Sequence, residues 1–481
     1  MDLVKSSCAI LALVALCTGV YAQHGQEPES IPREGDLDAL FSDARLNSFV
    51  LQLEAALARA QARHGVIPAE AAEAITRAAV PENVPQAEVD EERARVRHRM
   101  VALLNVLRRS LDADSADYLH YGATTVDLYD SARMLQLRAA IASLIHDLEV
   151  IELQLIDLAR RHRDTVMIGR TLGQHALPIT FGKKVSGYIG ENRRHIDRLK
   201  DLSDRVDRSV IMKGAVGSYL GLGPEGRLVE ASMAAELGLP APYPDDWHAS
   251  RDVFAEYGLV LSMIARTYGR FGQEVFLMQM TDIAELVEVR PRSAVGSSTM
   301  PHKNNPSLSN ALRQHARTVP RLAEIVADDM INYFERDNTS RPNRAIEDVS
   351  LAAEDLLIDA SRLIARLEID PVRMRENLDR SGGWIMTQRL VFALGERIGR
   401  EHAEEKLRIL ADQARETGAT LGEAIAADAE LSEALTVGEL DALLDPETYL
   451  GLDGELVDAV IAEVLSAREH DEVGGPDHAQ D

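Results

Sequence analysis

The stretch LRAAIASLIHDLEVIELQLIDL, from Leu137 to Leu158, repeats an apolar residue at alternating spacings of four and three. The repeated positions are Leu137, Ile141, Leu144, Leu148, Ile151, Leu155 and Leu158. This repeat places the apolar side chains on one face of a long helix. The stretch therefore predicts a long helix that buries one continuous seam against other helices.

The same spacing recurs twice further along the chain. The second seam comprises Tyr188, Asn192, His195, Leu199, Leu202 and Val206, and the third comprises Phe254, Tyr257, Leu261, Ile264, Tyr268, Phe271, Val275 and Met278. Two more helical stretches are expected near Ser307–Phe334 and Asp348–Leu367, and no strand-type alternation competes with them. Five such helices predict an all-α fold built around a central bundle.

Composition and charge set limits on the class of protein. The chain has 481 residues, of which 46% are apolar and only 4% aromatic, and its net charge is −26. This length suffices for a large core and for two or three domains. A strongly acidic chain without a basic stripe is a poor general nucleic-acid binder, so we exclude that class of function.

The first 22 residues predict a cleaved export signal. Lys5 precedes an apolar run from Cys8 to Val20, and Val20-Tyr21-Ala22 offers small residues at a cleavage site. The run is shorter than the roughly 20 residues that span a bilayer. The alternatives are a hydrophobic N-terminus and an anchor. Cleavage after Ala22 predicts a periplasmic or secreted protein, and it removes both cysteines, Cys8 and Cys17.

The rest of the chain divides by pattern into four segments. We expect an N-terminal helical domain over residues 23–130, a central helical bundle over 131–368 and a small C-terminal helical domain over 369–467. The polar residues 468–481 are expected to form a disordered tail.

Between two helical stretches lies VGSSTMPHKNNPSLSN, from Val295 to Asn310. Asn305-Pro306 is a typical helix start, so free N–H groups and a positive dipole end should lie just behind the loop. Lys303 adds a full charge, and Gly296 permits a mobile lid. These features favour an anion-binding loop that carries two hydroxyl groups. The alternative is a helix–helix connector with solubilising polar groups.

Two other turns carry polar groups ahead of helices. In HYGATTVDLYDSA, from His120 to Ala132, Thr124 and Asp127 fit a capping box. GRTLGQHALPITFGKK, from Gly169 to Lys184, forms a third turn before a long helix. Its histidine, His175, is a candidate for catalysis, although a lone histidine is more often structural.

Taken together, these three stretches resemble the signature blocks of the fumarase/aspartase (fumarate lyase) superfamily. GSSTMPHKNNP resembles its signature loop, HYGATTVDLYDSA its first conserved block and GRTLGQHALPITFG its second. LFSDARL and LEAALARAQARHGVIPAEAAEAI resemble the branch of 3-carboxy-cis,cis-muconate cycloisomerase and adenylosuccinate lyase. LLDPETYLG resembles the cycloisomerase side of that branch. The resemblance covers residues 37–466.

The resemblance implies a three-domain helical homotetramer with a twenty-helix core, whose active sites combine the three blocks from three subunits. It implies a small polycarboxylate substrate and neither a cofactor nor a metal. A proton leaves the carbon next to a carboxylate, an aci-carboxylate forms, and the C–N or C–O bond at the β carbon breaks.

By match to the signature loop, Ser297 is the base and Lys303 stabilises the aci-carboxylate. The same resemblance assigns substrate contacts to His120, Thr124, Thr125, Gln174, Ser298, Asn305 and Arg336. A serine is a poor base unless its surroundings favour the alkoxide, so this role requires nearby positive charge and fixed donors.

The chain also departs from the family pattern. Leu172 stands where related lyases have their usual histidine, so the expected general acid is His175, three residues further on, with His98 in reserve. The nucleotide-contact motif of adenylosuccinate lyases is missing, which weighs against that activity. A non-catalytic homologue is the other alternative, and the intact signature loop weighs against it.

Overall fold

A computed structural model of the chain describes residues 37–245, 248–291, 293, 296–336 and 342–473. The predicted export signal and lead-in, residues 1–36, lie outside the described residues, as do residues 474–481. Six helices form the N-terminal part: α1 (Leu37–Leu40), α2 (Asp43–Arg63), α3 (Ala69–Ala78), α4 (Gln86–Val96), α5 (Arg99–Arg108) and α6 (Ala113–Ala116).

The central bundle follows the predicted seams. Its long helices are α7 (Thr125–Arg161), α8 (Phe181–Asp207), α10 (Asp252–Met278), α11 (Ser307–Ala327) and α12 (Pro342–Ala365), and the shorter α9 (Gly226–Glu236) packs on α2. Every residue of the three predicted seams is buried. The expected five-helix bundle is therefore confirmed. The expected boundary at residue 130 falls inside α7, because one unbroken helix joins the N-terminal part to the bundle.

The polar members of the second seam are buried because they find partners across the bundle. Asn192 donates to the carbonyl oxygen of Leu148 at 3.0 Å and accepts from the hydroxyl of Tyr268 at 2.5 Å. His195 lies 2.9 Å from the hydroxyl oxygen of Thr267, and burial lowers the pKa of His195 to about 4. A neutral, hydrogen-bonded imidazole is tolerated in such a core.

Two small antiparallel sheets interrupt the helical pattern. β1 (Val166–Thr171) pairs with β2 (Gln174–Thr180), and β3 (Leu286–Glu288) pairs with β4 (Leu367–Ile369). The second conserved stretch is therefore a hairpin and not the simple turn that we expected. Its two turn residues, Leu172 and Gly173, have φ of 52° and 75°, the left-handed conformation that tight hairpin turns require.

The C-terminal domain has a separate apolar core, to which Ile168 of β1 contributes. Its helices are α13 (Pro371–Asp379), α14 (Thr387–Ile398), α15 (Arg400–Thr417), α16 (Leu421–Ala427), α17 (Ala429–Ala434) and α18 (Val437–Leu444). Short 3₁₀ turns lie at Pro81–Asn83, Gly223–Glu225, Asp328–Met330, Trp384–Met386 and Pro446–Thr448.

The last helix, α19 (Asp453–Val473), corrects two expectations. It packs against α8, and its apolar residues join the core of the bundle and not that of the C-terminal domain. The disordered tail was expected from Arg468, but the helix continues to Val473. Arg468 donates to the buried Glu152 at 3.0 Å, and Asp471 accepts from Arg193 at 2.7 Å. These ion pairs fix a segment whose composition alone favours disorder. In the described part of the chain, no helix combines the length and hydropathy needed to cross a membrane.

Candidate active site

The predicted anion-binding loop is closed at its neck. Nδ2 of Asn305 donates to the carbonyl oxygen of Gly296 at 2.7 Å, which joins the two ends of the loop. A Cβ added at Gly296 would overlap the guanidinium of Arg290 and crowd the carbonyl oxygen of Lys303. The neck is therefore packed so tightly that only glycine fits.

Ser297 is half-buried just inside this neck, and its Oγ accepts a hydrogen bond from the backbone N–H of Met300 at 3.1 Å. An N–H aimed at a hydroxyl oxygen stabilises the alkoxide more than the neutral hydroxyl, so it favours the ionised form. Ser298 and Lys303 are exposed on the same loop. The loop thus carries the predicted base, an N–H group that donates to it, and an exposed lysine.

The helix behind the loop does not offer its N-terminus to a ligand. The buried carboxylate of Glu288 accepts from the backbone N–H groups of Leu308 and Ser309, at 2.9 and 3.1 Å, and from the hydroxyl of Ser307 at 3.2 Å. The N-terminus of α11 is therefore already neutralised by the chain's own anion. The N–H groups of Leu308 and Ser309, which the sequence predicted to be free for an anion, are bound to Glu288, and Pro306 takes the capping position that the sequence suggested for Asn305.

The β1–β2 hairpin presents Gln174 and His175 in exposed positions at the start of β2. Its base is fixed by Arg170, which makes two hydrogen bonds, at 2.8 and 2.5 Å, to the fully buried Glu285. Partial desolvation, and then the charge of Arg170, lower the pKa of His175 below its ordinary value. A lowered pKa makes the imidazolium a stronger acid but also makes the neutral form more populated, so the shift by itself does not assign the role of proton donor.

His175 also lines an open cavity of about 410 Å³ between the hairpin and the C-terminal domain. The C-terminal domain contributes Trp384, Thr387 and Gln388 to its wall. The side of the histidine that faces this cavity is accessible to a ligand.

The first conserved turn has the capping box that the sequence predicts. Thr124 and Asp127 form the capping box at the start of α7. The Asp127 carboxylate also accepts from the backbone N–H groups of Lys213 and Gly214, at 3.1 and 2.8 Å. Asp127 thus joins the turn to the segment that contains Lys213 and Gly214. Thr125 follows as the first residue of α7 and is partly exposed.

Two histidines lie near this turn in different settings. His120 has a left-handed backbone, φ 62°, and its Nδ1 lies 2.6 Å from the buried carboxylate of Glu54. Burial, the largest single effect, lowers the pKa of His120, but the charge and the hydrogen bond of Glu54 and the charge of Asp127 together outweigh it, so the net effect raises the pKa above its ordinary value. His98 is exposed and caps α5, with Nδ1 accepting from the N–H of Val101 at 3.3 Å.

A buried ion-pair cluster fixes the same end of the bundle. Arg251 binds both Asp130, at 2.8 Å, and Asp329, at 2.7 Å, and Asp130 also contacts the buried His248. Asp329 precedes the exposed segment that ends at Arg336. Arg336 therefore lies at the end of the bundle where α7 begins.

The structure separates the predicted site residues into two groups at opposite ends of the bundle. The hairpin and the signature loop share one end, because Glu285, which binds the hairpin, and Glu288, which caps the helix after the loop, both belong to the segment around β3. The 37 residues of α7, roughly 55 Å of helix, lie between Thr125 and that end. One chain therefore cannot bring Thr124 and Thr125 to Ser297.

Sequence analysis did not single out Glu54, Glu288 or Arg290. The first two are buried acids. Glu288 follows apolar residues in ELVEVR, and an acid in an apolar run signals a buried partner. The sequence held no comparable signal for Arg290, since its place in the loop neck depends on how the loop folds back.

Two family models match the chain. Residues 36–320 match the model described as Lyase, and residues 383–460 match the model described as Adenylosuccinate lyase C-terminus.

Curated relatives and solved structures match nearly the whole length. The chain is 38% identical over 436 residues to 3-carboxy-cis,cis-muconate cycloisomerase of Pseudomonas aeruginosa, which covers 88% of this chain and 93% of that one. It is 32% identical over 429 residues to N-acetyl-S-(2-succino)cysteine lyase of Enterococcus italicus, with coverage of 89% and 94%. The structure of 3-carboxy-cis,cis-muconate lactonizing enzyme from Pseudomonas putida matches with a TM-score of 0.81 at 31% identity, covering 89% of this chain and 97% of that one.

Proposed function

The chain belongs to the lyase family of the fumarase/aspartase (fumarate lyase) superfamily, and from this premise we propose the reaction that it catalyses. It is an enzyme of the lyase or cycloisomerase type. We propose β-elimination, or the reverse addition, at a C–N or C–O bond next to a carboxylate of a succinyl- or muconate-type polycarboxylate. The observation that carries the proposal is the loop that holds Ser297 against the N–H of Met300 beside the exposed Lys303.

The first step is removal of a proton from the carbon next to a carboxylate. Ser297, as the alkoxide, takes this proton, and the electron pair moves into the carboxylate to give an aci-carboxylate. Such a carbon acid is very weak, so the added charge needs a fixed cation and donors. Lys303 supplies the cation, and Ser298 and Asn305 help to position the substrate.

In the second step the electron pair returns to form the C=C bond, and the bond from the β carbon to the leaving atom breaks. His175 donates a proton to that atom, with His98 as the reserve donor. Thr124 and Thr125 hold the other carboxylate, with further contacts from His120, Gln174 and Arg336. In the direction of addition, a carboxylate oxygen of the same molecule attacks the double bond, which is cycloisomerisation.

An adenylosuccinate-type lyase is the second candidate, favoured by the match of residues 383–460. Leu172 argues against this activity, because it occupies the position of the usual histidine. It is fully exposed at the hairpin tip and brings no proton donor there. The Enterococcus relative, by its name, acts on a sulfur-linked succinyl group, so sulfur belongs among the leaving atoms to be tested.

The test is a substrate screen of the purified protein. Succinates substituted through nitrogen, oxygen or sulfur, together with 3-carboxy-cis,cis-muconate, are incubated with the enzyme while ultraviolet absorbance is recorded. We expect absorbance changes from a conjugated double bond formed or lost for at least one polycarboxylate and for none of the matched monocarboxylates. Absence of turnover across the whole set would refute the proposed reaction.

We also propose that the enzyme is a homotetramer with shared active sites. The separation of Thr125 from Ser297 by the length of α7 supports a site built from more than one copy. Apolar side chains on the outside of the bundle helices, such as Leu153, Leu259 and Ile325, are about half exposed and would be buried by neighbouring copies.

Finally, we propose export, with cleavage after Ala22 and a periplasmic or secreted mature enzyme. The support is the apolar run from Cys8 to Val20 and the Val20-Tyr21-Ala22 site. Intact-mass measurement of the protein isolated from its native host should give a chain that begins at Gln23. A chain that still begins at Met1 would disprove cleavage.

A further inference from the structure

The sequence predicts that the N-terminus of α11 is available to an anion, but in the structure an acidic side chain already occupies it. Glu288 accepts from the N–H groups of Leu308 and Ser309 and from the hydroxyl of Ser307, so an acidic side chain already occupies this helix end and opposes a substrate carboxylate there. Lys303 is exposed at the end of a flexible stem. A carboxylate that must be held next to Ser297 therefore calls for another fixed cation.

Arg290 meets this requirement by its position. It is the second residue after β3, and the N–H of Val289 between them donates to the carbonyl oxygen of Arg366 at 2.8 Å, which fixes the backbone before Arg290. The half-buried guanidinium of Arg290 lies against the Cα of Gly296 in the loop neck, beside the carbonyl oxygen of Lys303. The missing side chain of Gly296 is what leaves room for it.

The charge of Arg290 is not neutralised within the part of the chain that the structure describes. No acidic side chain of residues 37–245, 248–291, 293, 296–336 and 342–473 forms an ion pair with it. The nearby acids are engaged elsewhere, Glu285 with Arg170 and Glu288 with the start of α11. A half-buried guanidinium without an anion is an unfavourable arrangement that an anionic ligand corrects.

The distance to the reacting atoms is also suitable. Consecutive Cα atoms are about 3.8 Å apart, so a guanidinium that touches Gly296 is one residue away from Ser297. The carbon that loses its proton must lie within hydrogen-bond reach of the base, and its carboxylate is one bond further. A guanidinium offers two parallel N–H donors that match the two oxygens of a carboxylate.

We propose that Arg290 is a substrate-binding residue, which takes the carboxylate next to the carbon that Ser297 deprotonates. This inference rests on the proposed function for the identity of the base. It assigns the substrate to dicarboxylates or tricarboxylates with one carboxylate at the loop neck, held by Arg290 together with Lys303.

The test measures equilibrium binding and not turnover. Isothermal titration calorimetry with fumarate and with its uncharged diamide compares the wild type with Arg290→Met and Arg290→Lys. Arg415→Met, which removes a mostly exposed arginine of α15, is the matched control. We expect Arg290→Met to weaken fumarate binding by roughly 10- to 100-fold, as for loss of a charge-assisted pair, and binding of the diamide by much less. Arg290→Lys should fall between, and the control should bind like the wild type.

A role in loop packing alone predicts a different result. Arg290→Met would then weaken the binding of fumarate and of the uncharged diamide by the same factor, and this outcome would overturn the proposal. Failure of the wild type to bind fumarate would overturn it too. If Arg290→Met does not fold, Arg290→Lys, which retains the charge, is compared with the wild type in its place. Binding that depends on Arg290 without any turnover in the substrate screen would refute the proposed reaction and leave only the assignment of Arg290 as a carboxylate-binding residue.

Discussion

Replacing Ser297 with alanine is expected to lower kcat by roughly four orders of magnitude and to leave KM nearly unchanged. The substitution removes the group that takes the proton, which acts only in the transition state. It also removes the acceptor of the Met300 N–H, but the neck bond between Asn305 and Gly296 remains. Steady-state kinetics on the substrate found by the screen measure the effect, after light scattering has confirmed an intact assembly.

Ser298→Ala is the matched control, because it deletes the same hydroxyl from the exposed neighbouring position on the same loop. Its effect should be much smaller, since the resemblance assigns Ser298 only a positioning role. Near-wild-type turnover by a folded Ser297→Ala enzyme would end the serine mechanism and would transfer the role of base to His175 or His98.

Two inactive variants are expected to restore activity when they assemble together. The first is Ser297→Ala, and the second is Thr125→Asp, which places a negative charge where a substrate carboxylate should bind. Aspartate is favourable in the first turn of a helix, so the second change should not harm α7. Because α7, roughly 55 Å long, lies between Thr125 and the end of the bundle that carries Ser297, the proposed shared site takes these residues from different copies.

In a randomly mixed assembly, about a quarter of the sites should receive an intact loop and an intact Thr125, a consequence of the symmetric sharing of sites. Co-expressed chains with two different tags are purified through both tags, and specific activity is compared with that of each parent. We expect about a quarter of the wild-type activity per site, a gain of hundreds of times or more over either parent.

Ser297→Ala mixed with Lys303→Met is the control for this experiment. Both changes lie in one loop, so no mixed site has an intact loop and no activity should return. If Ser297→Ala and Thr125→Asp together give only the mean of their parents, the active site lies within a single copy and the shared-site proposal is wrong.

Local sequence patterns predict much of this architecture. Three seams predicted three of the bundle helices and two further helical stretches predicted the others, because burial of one apolar face is the main force that fixes a long helix. The capping box at Thr124 and Asp127 was also predicted, because its donors and acceptors are three residues apart. The combination of glycine, hydroxyl groups and a cation in one short stretch favoured an anion-binding loop, and the family resemblance predicts Ser297 as the base and Lys303 as the stabilising cation.

Other features depended on contacts between distant parts of the chain, which no local pattern encodes. The sequence could not show that Glu288 occupies the start of α11, since the two meet only when β3 packs beside that helix. Nor could it show that Arg290 fills the loop neck, or that Arg468 and Asp471 hold a polar helix end against the bundle.

The sequence by itself determined which helices form the bundle and predicts which residues perform the chemistry, because residue type and periodicity are local properties. The tertiary structure decided which of these groups are free to act. It neutralised one predicted anion site with Glu288, left Arg290 without an acidic partner in the described part of the chain, and set the length of α7 between Thr125 and Ser297. These outcomes follow from packing, since a buried charge is satisfied by whichever opposite charge the fold brings within reach.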